Sequence, residues 1–79
     1  MVTLGELPCG SKAKVVSVDG GRRFLSRVAA MGIVPGSIVE MVSNQKRYPF
    51  LIFGRGTMVA INRSEGEKIK VERIRVEGR

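Results

Sequence analysis

Histidine and tryptophan are absent from this 79-residue chain, which has one cysteine, one tyrosine and three phenylalanines. Without an imidazole there is no Ser/His/Asp or Cys/His catalytic set and no neutral nitrogen ligand for a metal. A single thiol, Cys9, leaves no internal disulfide and no paired-thiol zinc site, and between Pro8 and Gly10 it reads as an inert turn residue. Scarce aromatics leave core packing to aliphatic side chains, and a chain this short buries only about 60% of its unfolded surface, so a large enclosed cofactor pocket is not expected. Long apolar runs are missing too: no window approaches the ~18 apolar residues of a spanning helix, and Met1 to Glu6 lacks a basic flank, which reads as a soluble cytoplasmic chain. Acidic residues are few, 7 against 14 Lys and Arg, for a net charge of +7. With no histidine to titrate, that charge holds across the physiological range, and it attracts nucleic acid, an anionic membrane face or an acidic protein partner without choosing among them.

What is present centres on Phe24 to Gly36. At roughly 100° per residue, Phe24, Leu25, Val28, Ala29 and Met31 share one side of a helical wheel, and Arg22, Arg23, Ser26, Arg27 and Ala30 the other. The first side is expected in the core, the second in solvent or against a partner. Gly32 stands where a helix stop needs positive φ, with Ile33 supplying the apolar contact back to the last turn. Pro35-Gly36 suits the two central positions of a type II turn that aims the chain into a strand from Ser37.

Leu4 and Leu7 fit one turn ahead of Pro8. Lys12–Val18 is rich in β-branched residues and reads as the first strand. In Ser37–Val42, Ile38, Glu40 and Val42 share one face and Val39 and Met41 the other, both expected to be half buried. Ser43–Pro49 is a basic surface loop, and Phe50–Phe53 is a strand joined through Gly54-Arg55-Gly56 to a hairpin partner, Thr57–Ile61. Ser64 and Glu67 have capping-box spacing for one helical turn. From Lys68 to Val76 the apolar positions switch face around Glu72-Arg73, which predicts a bulge or the sheet's end there. The whole reads as a single all-β domain, residues 1–79: a small, strongly bent barrel of about five strands with one short α-helix between the first two.

The string Arg27-Val28-Ala29-Ala30-Met31-Gly32-Ile33-Val34-Pro35-Gly36 resembles the signature of the ferrous iron transport protein A (FeoA) family. The likeness runs on through Leu4, Leu7 and Gly10, Val15 to Gly21, Val59-Ala60-Ile61-Asn62-Arg63 and Ile69-Lys70-Val71. Cys9 stands where the family commonly has proline, and the Ser43 to Tyr48 loop lacks the usual Gly/Pro-rich extension. The resemblance implies an SH3-like barrel and a non-enzymatic accessory role in the cytoplasm beside the membrane ferrous iron transporter with its GTPase domain. A related barrel resembles the C-terminal domain of iron-dependent repressors, although no helix-turn-helix module precedes it here.

Gly20-Gly21 followed by Arg22 and Arg23 brings backbone N–H groups and two guanidinium groups to a helix start, a setting suited to carboxylate or phosphate. The plainer reading is a solvated basic face. Arg27 serves either a partner contact or a stem lying over the barrel. Met31 reads as core rather than as a soft metal ligand. Lys46, Arg47 and Tyr48 offer a basic, aromatic loop that suits either a protein partner or the bases of a nucleic acid, while also being an ordinary lead into a core strand. Gly54-x-Gly56 lacks the lysine and length of a phosphate loop. No catalytic set, metal site or cofactor is expected.

Overall fold

Alternation of side-chain direction builds the sheet. Phe50 and Ile52 point inward while Leu51 and Phe53 point outward, and Val59 and Ile61 repeat the pattern on the next strand. In the computed structural model, which describes residues 1–74, the strands are β1 (Val2–Thr3), β2 (Lys12–Val18), β3 (Ile38–Ser43), β4 (Phe50–Gly54), β5 (Thr57–Ile61) and β6 (Ile69–Ile74). They form one antiparallel sheet in the order β1-β6-β2-β3-β4-β5. A 3₁₀ turn (Leu4–Glu6), helix α1 (Arg22–Ala30) and the single turn α2 (Arg63–Gly66) complete the fold.

The strand count therefore exceeds the expected five, because Val2 and Thr3 pair with Val71 and Lys70 and add a short outer strand. The helix accordingly follows the second strand rather than the first. Two residues are too few for a periodic signal, and only the partner strand makes them β.

The sheet bends through two bulges. Register shifts between Val15 and Ser17 against β6, and between Met41 and Ser43 against β4. Each leaves one residue, Val16 or Val42, as the extra member, which sharpens local twist and lets a short sheet wrap its core. The break expected at Glu72-Arg73 is absent: β6 pairs without interruption from Val71, opposite Val15, to Ile74, opposite Lys12. Ile74 is 37% exposed on the outer face, in line with Lys70 and Glu72 and opposite Lys12, so the apolar pattern changes because an apolar residue stands on the outer face, not because the pairing shifts. Val76 lies outside the described residues.

Leu4, Leu7, Val15, Val28, Val39, Met41, Ile52, Ile61, Ile69 and Val71 are the largest fully buried side chains. Burial on β3 falls on one face only: Val39 and Met41 are inside, whereas Ile38 and Val42 are 46% and 40% exposed. Helix α1 likewise presents a narrower apolar stripe than its wheel suggested. Phe24 and Val28 enter the core, Met31 packs against it partly, and Leu25 and Ala29 are exposed. A nine-residue helix lying on a barrel this small meets it along little more than one row of side chains.

Local chemistry sets the connections. The Gly32 N–H donates to Ala29 O and the Ile33 N–H to Val28 O, both at 2.9 Å, a Schellman closure with Gly32 at φ 87°. Val34 to Ser37 form a turn closed at 2.9 Å with Gly36 at φ 96°, and the Ser37 hydroxyl donates to Gly32 O at 2.8 Å, locking helix end to turn. The β4–β5 hairpin turns on two residues rather than three: Gly54 pairs with Thr57, and Arg55 and Gly56 both take positive φ, as a type I′ turn requires.

Candidate partner-binding surface

Helix α1 begins at Gly21, which has no side chain to cap it, and its first turn holds Arg22 and Arg23 and no acidic residue. Three N–H groups at its start, those of residues 22 to 24, have no carbonyl one turn back within the helix. Two guanidinium groups at the positive end of a helix dipole repel it, and an anion placed there relieves both. Arg22 and Arg23 are exposed and form no ion pair among the described residues.

Arg27, one turn on, has an internal partner. Its Nη2 bonds Glu65 Oε2 on α2, and its guanidinium carbon lies 5.6 Å from the Phe24 ring centroid. Lys68 Nζ approaches the same ring at 5.3 Å. Arg23, Phe24, Arg27, Glu65 and Lys68 thus line one shallow, mainly cationic depression.

Helix α2 organises the other cluster. Its N-cap is Asn62, whose N–H donates to Glu65 Oε1 at 3.3 Å, so the reciprocal spacing is Asn62 with Glu65 and not Ser64 with Glu67. One Glu65 carboxylate oxygen therefore caps α2 while the other holds α1. Arg63 projects the other way: its Nη1 donates to Gln45 O at 2.8 Å and Tyr48 O at 3.2 Å, its Nη2 to Asn44 Oδ1 at 3.0 Å, and the guanidinium lies 4.2 Å from the Phe50 ring centroid. Asn44 Nδ2 in turn donates to Gly5 O and Leu7 O at 3.1 and 2.8 Å. The loop carrying Lys46, Arg47 and Tyr48 is thereby tied at both ends, with Arg47 at φ 74°.

Of the residues singled out from sequence, Arg22, Arg23 and Arg27 lie along α1, and Lys46, Arg47 and Tyr48 on the β3–β4 loop. The two groups are separate clusters, linked through α2. Met31, Gly32, Pro35 and Gly36 set the path between helix and β3. Sequence reasoning passed over Arg63, Glu65 and Asn44, which hold the arrangement. The signal available was the Asn62-x-x-Glu65 spacing, which locates α2 and thus puts Arg63 at its first position. Among the described residues no three His, Cys, Asp or Glu side chains stand together in a way that would hold a metal, and no helix is long and apolar enough to cross a membrane.

Comparison with known proteins supplies the lineage. Curated protein sequences give no match. The FeoA domain family model matches residues 2–73. Among solved structures, an iron uptake regulatory protein (FeoA) is 26% identical with a TM-score of 0.87, the alignment covering 92% of this chain and 97% of that one. FeoA of Stenotrophomonas maltophilia, complexed with zinc and described as a prokaryotic SH3 domain protein suggested to activate ferrous iron transport, is 30% identical with a TM-score of 0.78, covering 91% of each chain. A manganese-dependent transcriptional repressor shares the fold alone, at 15% identity and a TM-score of 0.83, the alignment covering 91% of this chain and 41% of the repressor. With its barrel like that of the FeoA structures and the family model running through nearly all of its length, the chain belongs to the FeoA family.

Proposed function

We propose that the protein is a cytoplasmic, non-enzymatic accessory factor of ferrous iron uptake that binds the cytoplasmic side of the membrane GTPase iron transporter and modulates it. Family membership supports the pathway. The observation that carries the contact is the uncapped start of α1, where Arg22 and Arg23 stand exposed and outside any ion pair among the described residues while Arg27 and Glu65 brace the helix behind them. Such a surface suits carboxylates on a protein partner. The test is binding of the purified chain to membranes carrying its cognate transporter. The expected result is salt-sensitive association that weakens in Arg22→Glu/Arg23→Glu, and no association at low salt with the intact chain would end this reading.

The net charge of +7 also favours a second reading, a small barrel that binds nucleic acid. Affinity for several unrelated DNA and RNA sequences that falls linearly with log salt concentration distinguishes it from transporter binding.

A further inference from the structure

The outer face of β3, β4 and β5 carries five apolar side chains that the core does not use: Ile38, Val42, Leu51, Phe53 and Met58, each 36–53% exposed. Register pairs two of them directly and sets the others around that pair. Phe53 stands opposite Met58 on one side and Glu40 on the other, and Leu51 stands between Ala60 and Ser43. At the loop end of this face Ser43, Gln45, Tyr48, Pro49, Leu51 and Ala60 line a depression of about 310 Å³. The backbone beneath its Tyr48-Pro49 wall is held without a ligand, because Arg63 bonds the carbonyls of Gln45 and Tyr48. Lys46 and Arg47 sit on the same loop, exposed and outside any ion pair among the described residues.

Three occupants compete for such a face. A second copy of the chain is disfavoured by charge, since each copy brings +7. It is also disfavoured by area: three strands of this length, rising about 3.3 Å per residue and set about 4.8 Å apart, span only a few hundred Å². A stable dimer buries about 800 Å² per partner. A lipid bilayer is entered by apolar side chains that protrude, whereas the apolar feature at the loop end of this face is a depression. A short protein segment meets every condition, because it needs little area, fills a depression with one side chain and brings carboxylates to the flanking cations.

We infer that this face docks an acidic segment of a protein partner, with an apolar side chain seated between Tyr48 and Leu51 and carboxylates against Lys46 and Arg47. The inference rests on the reading of the protein as a transporter accessory factor, and it places a second contact away from α1. The held backbone means that docking orders the partner's segment rather than the loop, so most of the entropic cost falls on the partner.

The experiment is amide chemical-shift mapping of the ¹⁵N-labelled chain at low salt. One arm adds the purified cytoplasmic region of the cognate transporter, and a second adds vesicles of equimolar phosphatidylglycerol and phosphatidylcholine. Shifts at residues 43–51 and 58–60 on adding the transporter region are expected, with affinity falling about tenfold or more in Leu51→Lys and in Tyr48→Ser, as for truncation of a central anchor. Tyr48 is 62% exposed, so its replacement leaves the core alone even if Leu51→Lys perturbs folding. Shifts confined to α1, with both variants binding like the parent, overturn this docking and leave the accessory reading intact. No shift at any residue removes that reading and the docking with it. Shifts on this face from vesicles but not from the transporter region overturn the protein segment in favour of lipid.

Discussion

Removing the Arg63 guanidinium should loosen the β3–β4 loop and cost about 2 kcal/mol of stability. The side chain makes three hydrogen bonds of 2.8–3.2 Å to residues 44, 45 and 48. Those acceptors turn to water when the donor is lost, so each bond belongs at the lower end of the usual ~0.5–1.5 kcal/mol. Its position 4.2 Å from the Phe50 centroid adds about 0.5–1 kcal/mol at a part-exposed site, and some loop entropy is recovered in the variant. For a domain of this size a loss of that order lowers the thermal midpoint by roughly 8–16 °C. Circular dichroism melts and denaturant titration of Arg63→Ala measure the global effect. Tyr48, the only tyrosine in a chain without tryptophan, reports the loop itself through its fluorescence, as does amide exchange across residues 44–48. Arg63→Lys keeps a charge near Phe50 but cannot reach three acceptors with a planar fork, and should restore less than half of the loss. A midpoint within the error of the parent, together with unchanged loop exchange, would refute the assignment of Arg63 as the tie.

Gly32→Ala should destabilise by about 1 kcal/mol or more, because φ 87° is strained for alanine and an added Cβ would lie 2.8 Å from Arg55 Cδ; an unchanged denaturant midpoint contradicts this. At Gly66 a Cβ would lie 2.5 Å from Phe50 Cε2, so Gly66→Ala is expected to cost ~1–3 kcal/mol through displacement of that ring, checked by the same titration. Arg22→Glu/Arg23→Glu should fold as well as the parent, since it improves the charge match at the start of α1, whereas Arg27→Glu sets a carboxylate against Glu65 and should lower the thermal midpoint; equal midpoints for the two variants would show that the Arg27–Glu65 bridge is not structural. Anaerobic calorimetry under reducing conditions should find no stoichiometric submicromolar ferrous iron site on the isolated chain, and such a site would show that its oxygen donors and Cys9 suffice without histidine.

How much of this was legible in the chain follows from the range over which each feature is decided. The compact apolar run Phe50–Phe53 and its glycine link to Thr57–Ile61 identified β4 and β5, because a short apolar run and the turn residues that bound it are local signals. The helix was legible for the same reason, since its stop is closed by bonds from Gly32 and Ile33 to residues no more than five positions back. The SH3-like class came with the family resemblance, whose string spans that helix and turn. Sequence periodicity misled where burial, not conformation, was the question. Leu25 and Ala29 have the period of a core face yet are exposed, and Ile38 and Val42 alternate correctly yet face outward without cover.

By itself, the sequence determined the composition-level facts and much of what is settled within one turn of chain: a basic, histidine-free domain, most of its strands, one helix and its exit, though not the capping pair of α2 or the length of the β4–β5 turn. Tertiary structure alone decided the β1 pairing, the bulges at Val16 and Val42, the absence of a break at Glu72-Arg73, and the bracket in which Glu65 holds Arg27 while Arg63 holds the loop. Those contacts join residues 8 to 69 positions apart. Their partners are chosen by how the bent sheet brings its strands together, and no local propensity carries that information.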